Sequence, residues 1–211
     1  MDDGKIRPKA QEMPAFLLTL GYVAIIGCAA LCLSILIADQ VVPDHDWIGD
    51  TISDLGAGRY EFIVDIGIYC FSASLIAVSL LAAHVHLGGW EWSVGTIGFA
   101  ALGLIVFLVG ARNEYGDADS DGWVIHIYLV YGIGLLMAVS LACMVSGAKM
   151  AGAIYGQVLT AIAVIWTVSA PVFFFLPTTI DGIYERYLGL LAIAAIITLA
   201  RLFIQRGKHS T

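Results

Sequence analysis

The sequence predicts an all-α, polytopic membrane protein: a bundle of six transmembrane helices with a short amphipathic helix in the first outer loop. Three observations predict it. Of 211 residues, 60% are hydrophobic and 13% charged, against roughly 45–50% and about 25% in soluble domains. The mean hydropathy is +0.89, and so few charges cannot cover a water-facing surface. The apolar residues also gather into six runs, each near the ~20 residues that cross a ~30 Å hydrocarbon core as a helix. Disorder, a disulfide-stapled secreted scaffold and a nucleic-acid binder are excluded. The chain is too apolar for the first, its four Cys are too sparse for the second, and a net charge of −7 is wrong for the third.

The runs are 15–38, 62–83, 93–111, 123–146, 152–176 and 184–204, which together make one domain over 1–211. None alternates in polarity as a spanning strand would. The first is too long for a signal-peptide core and is read as a retained span. Cys28 and Cys32 lie one turn apart on it, a poor geometry for bridging. With Cys70 and Cys143 they read as small apolar packing. In loop 1, Ile48, Ile52 and Leu55 recur at i, i+4 and i+7, with Asp46 as N-cap and Gly56 as stop, which predicts an amphipathic helix at the outer interface. Trp90 and Trp92 flank span 3 as interfacial anchors, as Trp47 and Trp123 do on the other side. Gly95, Gly98 and Gly103 in span 3, and Gly152 and Gly156 at the start of span 5, predict close packing of helices within the chain. In loop 3, Asp117, Asp119 and Asp121 have the spacing of a calcium loop, but Tyr128 stands where the twelfth-position Glu belongs, so the plain reading is a solvated acidic loop. Pro171 is expected to kink span 5 near its outer end.

An even number of spans puts both termini on one side. Placing them in the cytoplasm assigns seven basic residues to the inside and three to the outside, while thirteen of the seventeen acids fall outside. The positive-inside rule therefore predicts a multi-pass protein of a bacterial inner membrane with both termini cytoplasmic.

Three short elements then carry a resemblance. Ile52-Ser53-Asp54-Leu55-Gly56, followed by Glu61-Phe62 at the mouth of span 2, resembles the signature of DRAM/Sfk-type six-helix membrane proteins, with Tyr60 in place of their Pro. The Ser-Asp-Leu-Gly part, His126 at the start of span 4, and Gly182-Ile-Tyr-Glu185-Arg186 before span 6 are similar to the prokaryotic family called domain of unknown function 998. The Phe-Pro pair typical before its His is absent, and Ala111-Arg112-Asn113 stands there. The resemblance implies six helices and, through the eukaryotic relatives, a role in organising lipid or membrane. It implies no reaction.

No catalytic constellation survives the topology. A zinc site would draw on His84, His86, His126 and Asp54, but the first two end span 2 on the inside and His126 begins span 4 on the outside. Ser53 with His126 lacks a Gly-x-Ser-x-Gly elbow and named oxyanion donors. His84 and His86 are the residues a tetrapyrrole or metal would use, and the plainer reading of them is a polar helix end. No metal or cofactor is expected.

The expectation is a non-enzymatic accessory or scaffolding subunit of a larger inner-membrane assembly, photosynthetic or respiratory. The alternative is a lipid-binding or lipid-remodelling protein with a polar site on its outer face. Membrane lipids and a larger assembly are the expected partners, and nucleic acid is not. The outer polar cluster would comprise Ser53, Asp54, Glu61, Arg112, His126, Glu185 and Arg186. Within it, Asp54 or Glu61 is expected to pair with Arg112 or Arg186 and tether loop 1 over the bundle mouth.

Overall fold

A computed structural model describes residues 13–56, 58–111 and 125–209. It has seven helices among them: α1 (Pro14–Val41), α2 (Ile52–Leu55), α3 (Glu61–Val85), α4 (Trp90–Ala111), α5 (Ile125–Ala151), α6 (Ala153–Phe173) and α7 (Asp181–His209). Six are long and apolar enough to cross a membrane, and α2 is the short element of loop 1. Each span matches a predicted run and overshoots most of their ends, because backbone hydrogen bonding carries a helix past its last apolar residue into the interface. The exception is α6, which stops at Phe173 in the turn after Pro171.

The six long helices form a closed ring in chain order. Each packs against its sequence neighbour, and α7 returns to pack against α1. One apolar core built from all six runs through it. Small residues let the backbones approach. Gly95 and Gly98 face Met144 and Ser140 of α5, and Gly103 faces Ser72 and Ile76 of α3. Gly156 sits against Lys149 in the tight α5–α6 turn. The glycines of span 3 therefore serve packing within the chain, as the sequence suggests. Hydroxyls cross between helices to carbonyls, with Ser72 Oγ donating to Gly103 at 2.7 Å and Ser79 Oγ to Thr96 at 2.8 Å. In lipid such bonds add to packing, since there is no water to compete for them.

Trp92 departs from the expectation. It is fully buried, donates its indole N–H to the Ala82 carbonyl at 2.8 Å and packs against Gly147. Trp90, two residues earlier on the opposite face, remains exposed as an interfacial residue would.

The ring has two ends. Met13, His84, His86 and the last turn of α7 lie at one, the tail end. Loop 1 and the starts of α3, α5 and α7 lie at the other, the loop-1 end. At the tail end α1 and α7 are close: Gly207 faces Leu17, and a Cβ on Gly21 would collide with Ile204. At the loop-1 end the two helices leave a groove between them.

Candidate functional site at the loop-1 end

Loop 1 is strapped down by the start of α7. The first N–H groups of any helix lack partners within it. Here Gly182 and Ile183 donate theirs to the carbonyls of Gly49 at 3.2 Å and Ile48 at 3.0 Å. Glycine is required at 182, because an added Cβ would overlap the Asp50 backbone. One turn on, Arg186 is 7% exposed and reaches into loop 1. Its Nη1 donates to the carbonyls of Asp50 at 2.8 Å and Gly182 at 3.0 Å, and its Nη2 to Asp39 Oδ1 at 2.9 Å. Its guanidinium lies 5.3 Å from the Trp47 ring centroid, within cation–π reach. His45 Nε2 is 3.0 Å from Asp39 Oδ1 and its Nδ1 is 3.3 Å from Asp50 Oδ2, so the imidazole stands between two carboxylates.

The next segment is α2, whose N-cap is Thr51 rather than Asp46. Thr51 Oγ1 accepts from the Asp54 N–H at 3.1 Å while Asp54 Oδ2 accepts from the Thr51 N–H at 2.6 Å, a reciprocal capping box. Glu185 accepts from the Ile52 N–H at 2.6 Å, so α7 also supplies a cap for α2. Asp46 instead stabilises the turn before it, accepting from the Ile48 N–H at 3.0 Å. Ile48 is accordingly outside the helix and exposed, while Leu55 is fully buried against Ala38 and Val64. The apolar stripe thus shortens to Ile52 and Leu55, and they fold into the ring rather than along the interface.

Held this way, Ser53 points at α5. Its Oγ lies 3.1 Å from Nε2 of His126, which is buried. The pair lines a half-open cavity of about 180 Å³ within the ring. The walls are apolar and come from all seven helices. Ser53, His126 and Glu185 are the ionisable or hydroxyl side chains lining it among the described residues. Trp166 forms part of the wall and donates its N–H to the Gly134 carbonyl at 2.9 Å, which hides its polar edge. Gly134 and Gly189 line the space, and a Cβ on either would meet nothing within 4 Å. They are therefore not packing glycines; they leave the cavity open.

Of the residues expected to cluster, Ser53, His126 and Glu185 meet at the cavity, and Asp54 lies beside them in the α2 cap. Glu61 opens α3 and does not line the cavity. Arg112 lies outside the described residues, as do Trp123 and the acidic triplet of loop 3. The expected pairing of Arg186 with Asp54 or Glu61 is corrected: its acidic partner is Asp39, at the end of α1. Asp54 is engaged by the turn it caps, whereas Asp39 is carried to Arg186 by the α1–α7 contact. His84 and His86 sit at the tail end. His84 Nε2 accepts from the Met13 N–H at 3.1 Å, and His86 closes α3 in the left-handed region, 3.1 Å from Ser93 Oγ.

Asp39, His45, Asp50, Gly134 and Gly189 were not singled out by the sequence. The i, i+3, i+4 spacing of Gly182, Glu185 and Arg186 is the one signal that could have helped, because it puts all three on a single helix face.

A family model described as "Protein of unknown function (DUF998)" matches residues 25–202, a range that takes in loop 1, the cavity and about the first three-quarters of α7. The likeness to DRAM/Sfk proteins rests only on the short elements quoted from the sequence. No curated protein matches, and no solved structure matches.

Proposed function

This chain belongs to the DUF998 family, and from that premise and the shape of its cavity we propose that it is a lipid-binding membrane protein. The observation that carries the reading is an apolar, half-open cavity that two glycines leave unfilled, with Ser53, His126 and Glu185 as its polar lining. Ligand sites are typically apolar pockets with a few placed polar groups. An apolar cavity of ~150 Å³ accepts a benzene-sized molecule, so this one has room for about six carbons of a chain end. Ser53 and His126 each donate and accept, which suits an ester or hydroxyl at the interface. The three elements of the family resemblance lie at the same place: Ser53 and Asp54 in α2, His126 in α5, and Gly182, Glu185 and Arg186 in α7.

The charge distribution supports a bacterial inner membrane with the tail end in the cytoplasm, so that the cavity opens toward the outer leaflet. The competing role, an accessory subunit of a larger assembly, predicts that a partner co-purifies stoichiometrically in mild detergent and that filling the cavity has no effect.

The test is lipid extraction and mass spectrometry of the full chain purified in mild detergent, wild type against Gly134→Leu. Leucine at 134 enters open space and fills the cavity. A lipid species retained by wild type and lost from Gly134→Leu supports the reading. Identical lipid profiles in two folded proteins overturn it.

A further inference from the structure

Hydroxyls within the spans are bonded to carbonyls. Ser74, Ser140 and Thr160 donate to the carbonyl four residues earlier in their own helix, and Ser72 and Ser79 donate across to α4. A hydroxyl that donates to a carbonyl has no base to take its proton. Ser53 differs. Its hydrogen bond is to an imidazole 73 positions away, with Oγ 3.1 Å from His126 Nε2. With the ring proton on Nδ1, Nε2 accepts the Ser53 O–H. The pair then has the arrangement of a nucleophile and its general base, within the reach of about 2.6–3.2 Å that proton transfer needs.

A Ser–His contact does not make a site by itself. Ser93 and His86 at the tail end are also 3.1 Å apart, but that pair is exposed and forms no part of the cavity wall. Ser53 and His126 both line the cavity, and His126 is buried, so bulk water does not compete for its ring. No Gly-x-Ser-x-Gly elbow presents the serine; the first turn of α2 does. That turn is fixed on two sides, since Glu185 accepts from the Ile52 N–H and Asp54 from the Thr51 N–H, each at 2.6 Å. A nucleophile held in this way needs no reordering before it reacts. Beyond the pair and Glu185 the wall is apolar, and the space suits about six carbons. What fits against the pair is therefore an alkyl chain joined to one polar group, and in an ester that group carries the carbonyl carbon that a serine oxygen attacks.

The geometry points to a lipid esterase, with Ser53 as nucleophile and His126 as general base, acting on carboxylic esters whose acyl chain lies in the cavity. The inference rests on the lipid-binding reading of the same cavity and adds a reaction to it. His126 Nε2 takes the Ser53 proton as Oγ bonds to the ester carbonyl carbon. The C–O bond to the alcohol then breaks, the acyl group stays on Oγ, and the proton passes from Nε2 to the departing alcohol oxygen. Water repeats the sequence: it gives a proton to Nε2, its oxygen bonds to the acyl carbon, and the proton returns to Ser53 Oγ as the carboxylic acid leaves. Ester and water become acid and alcohol, and nothing is oxidised or reduced.

The test uses the full chain in mild detergent with two kinds of probe. A hexyl-chain fluorophosphonate phosphonylates a serine that a base activates, with loss of fluoride, and 4-nitrophenyl esters release a coloured phenolate when hydrolysed. Peptide mass spectrometry should find the phosphonyl group on Ser53 and not on Ser93. Ser53→Ala and His126→Gln should each lower hydrolysis of the hexanoate ester by about 10²-fold or more, the scale of general-base catalysis, while Ser93→Ala leaves it unchanged. Gly134→Leu keeps the pair and fills the cavity, so it should lower turnover of the hexanoate more than that of the acetate. A folded wild type that retains lipid but carries no label on Ser53 overturns the inference and leaves the binding reading standing. Label that persists on Ser53 in His126→Gln overturns it too, because the base is then another group. Equal loss of hexanoate and acetate turnover in Gly134→Leu removes the acyl chain from the cavity and overturns it as well.

Discussion

At the scale of single residues, the site rests on a buried ion pair that sequence does not announce. Asp39 is simply the first residue after the first apolar run, and Arg186 stands 147 positions away. Only closure of the ring brings them together, so no local pattern could have paired them. Removing one member of such a pair strands the other charge, at a cost of about 3–5 kcal/mol. Asp39→Asn and Arg186→Gln should each lower the thermal midpoint in detergent, and the double variant should lose less than the sum, with a coupling of about 1 kcal/mol or more. Additive losses would show that the pair contributes nothing as a pair. Gly134 gives a prediction of opposite sign. Glycine in a helix interior costs roughly 0.5–1 kcal/mol relative to alanine, and nothing opposes a methyl group there. Gly134→Ala should therefore stabilise the protein by that amount, measured by the same melt. A loss of stability would mean that the space is not open.

At the scale of elements, the six long helices were legible because each needs only length and hydrophobicity to declare itself. Loop 1 was half legible. The Ile52–Leu55 spacing and the Gly56 stop are read correctly, but the helix begins five residues later than an Asp46 cap implies. Thr51 with Asp54 makes a better cap, and the segment before it is committed to capping α7. Trp92 was misread for a related reason: an indole near a helix end suits an interface, and only the presence of Gly147 opposite makes a pocket for it. The roof is thus built from few parts, and each is testable. Thr51→Ala removes a cap worth about 0.5–2 kcal/mol, and Leu55→Ala removes a fully buried side chain worth about 2–5 kcal/mol. In the double variant, trypsin should cut after the exposed Arg59 markedly faster than in wild type, before global unfolding. An unchanged cleavage rate would show that α2 is not what holds the loop.

At the scale of the whole molecule, charge decides orientation. In a Cys-free background, a single cysteine replacing the exposed Arg59 should react with an impermeant maleimide added to intact cells, and one replacing Lys208 only after lysis. The reverse pattern would turn the cavity toward the cytoplasm and would replace the outer leaflet with the inner one as its source of lipid. The six spanning helices could be read from the chain, but their closure into a ring in chain order could not. The cavity itself could not, since an empty volume is set by what six helices jointly fail to fill, and Gly134 and Gly189 look in sequence like the packing glycines of α4.

The return of α7 to α1 has a consequence for the order in which the chain is made. Every other helix meets a partner synthesised just before it, so α1 to α6 can associate as they emerge. The strap across loop 1 cannot: Gly182, Glu185 and Arg186 arrive last. Until they do, Asp39 and His45 lack their cation, and α2 lacks one of its caps. A ribosome-bound chain stalled before α7 should carry an open loop 1, cut readily after Arg59, and release of the last helix should protect it. Loop 1 is therefore completed only by α7, the last helix of the described fold to be made.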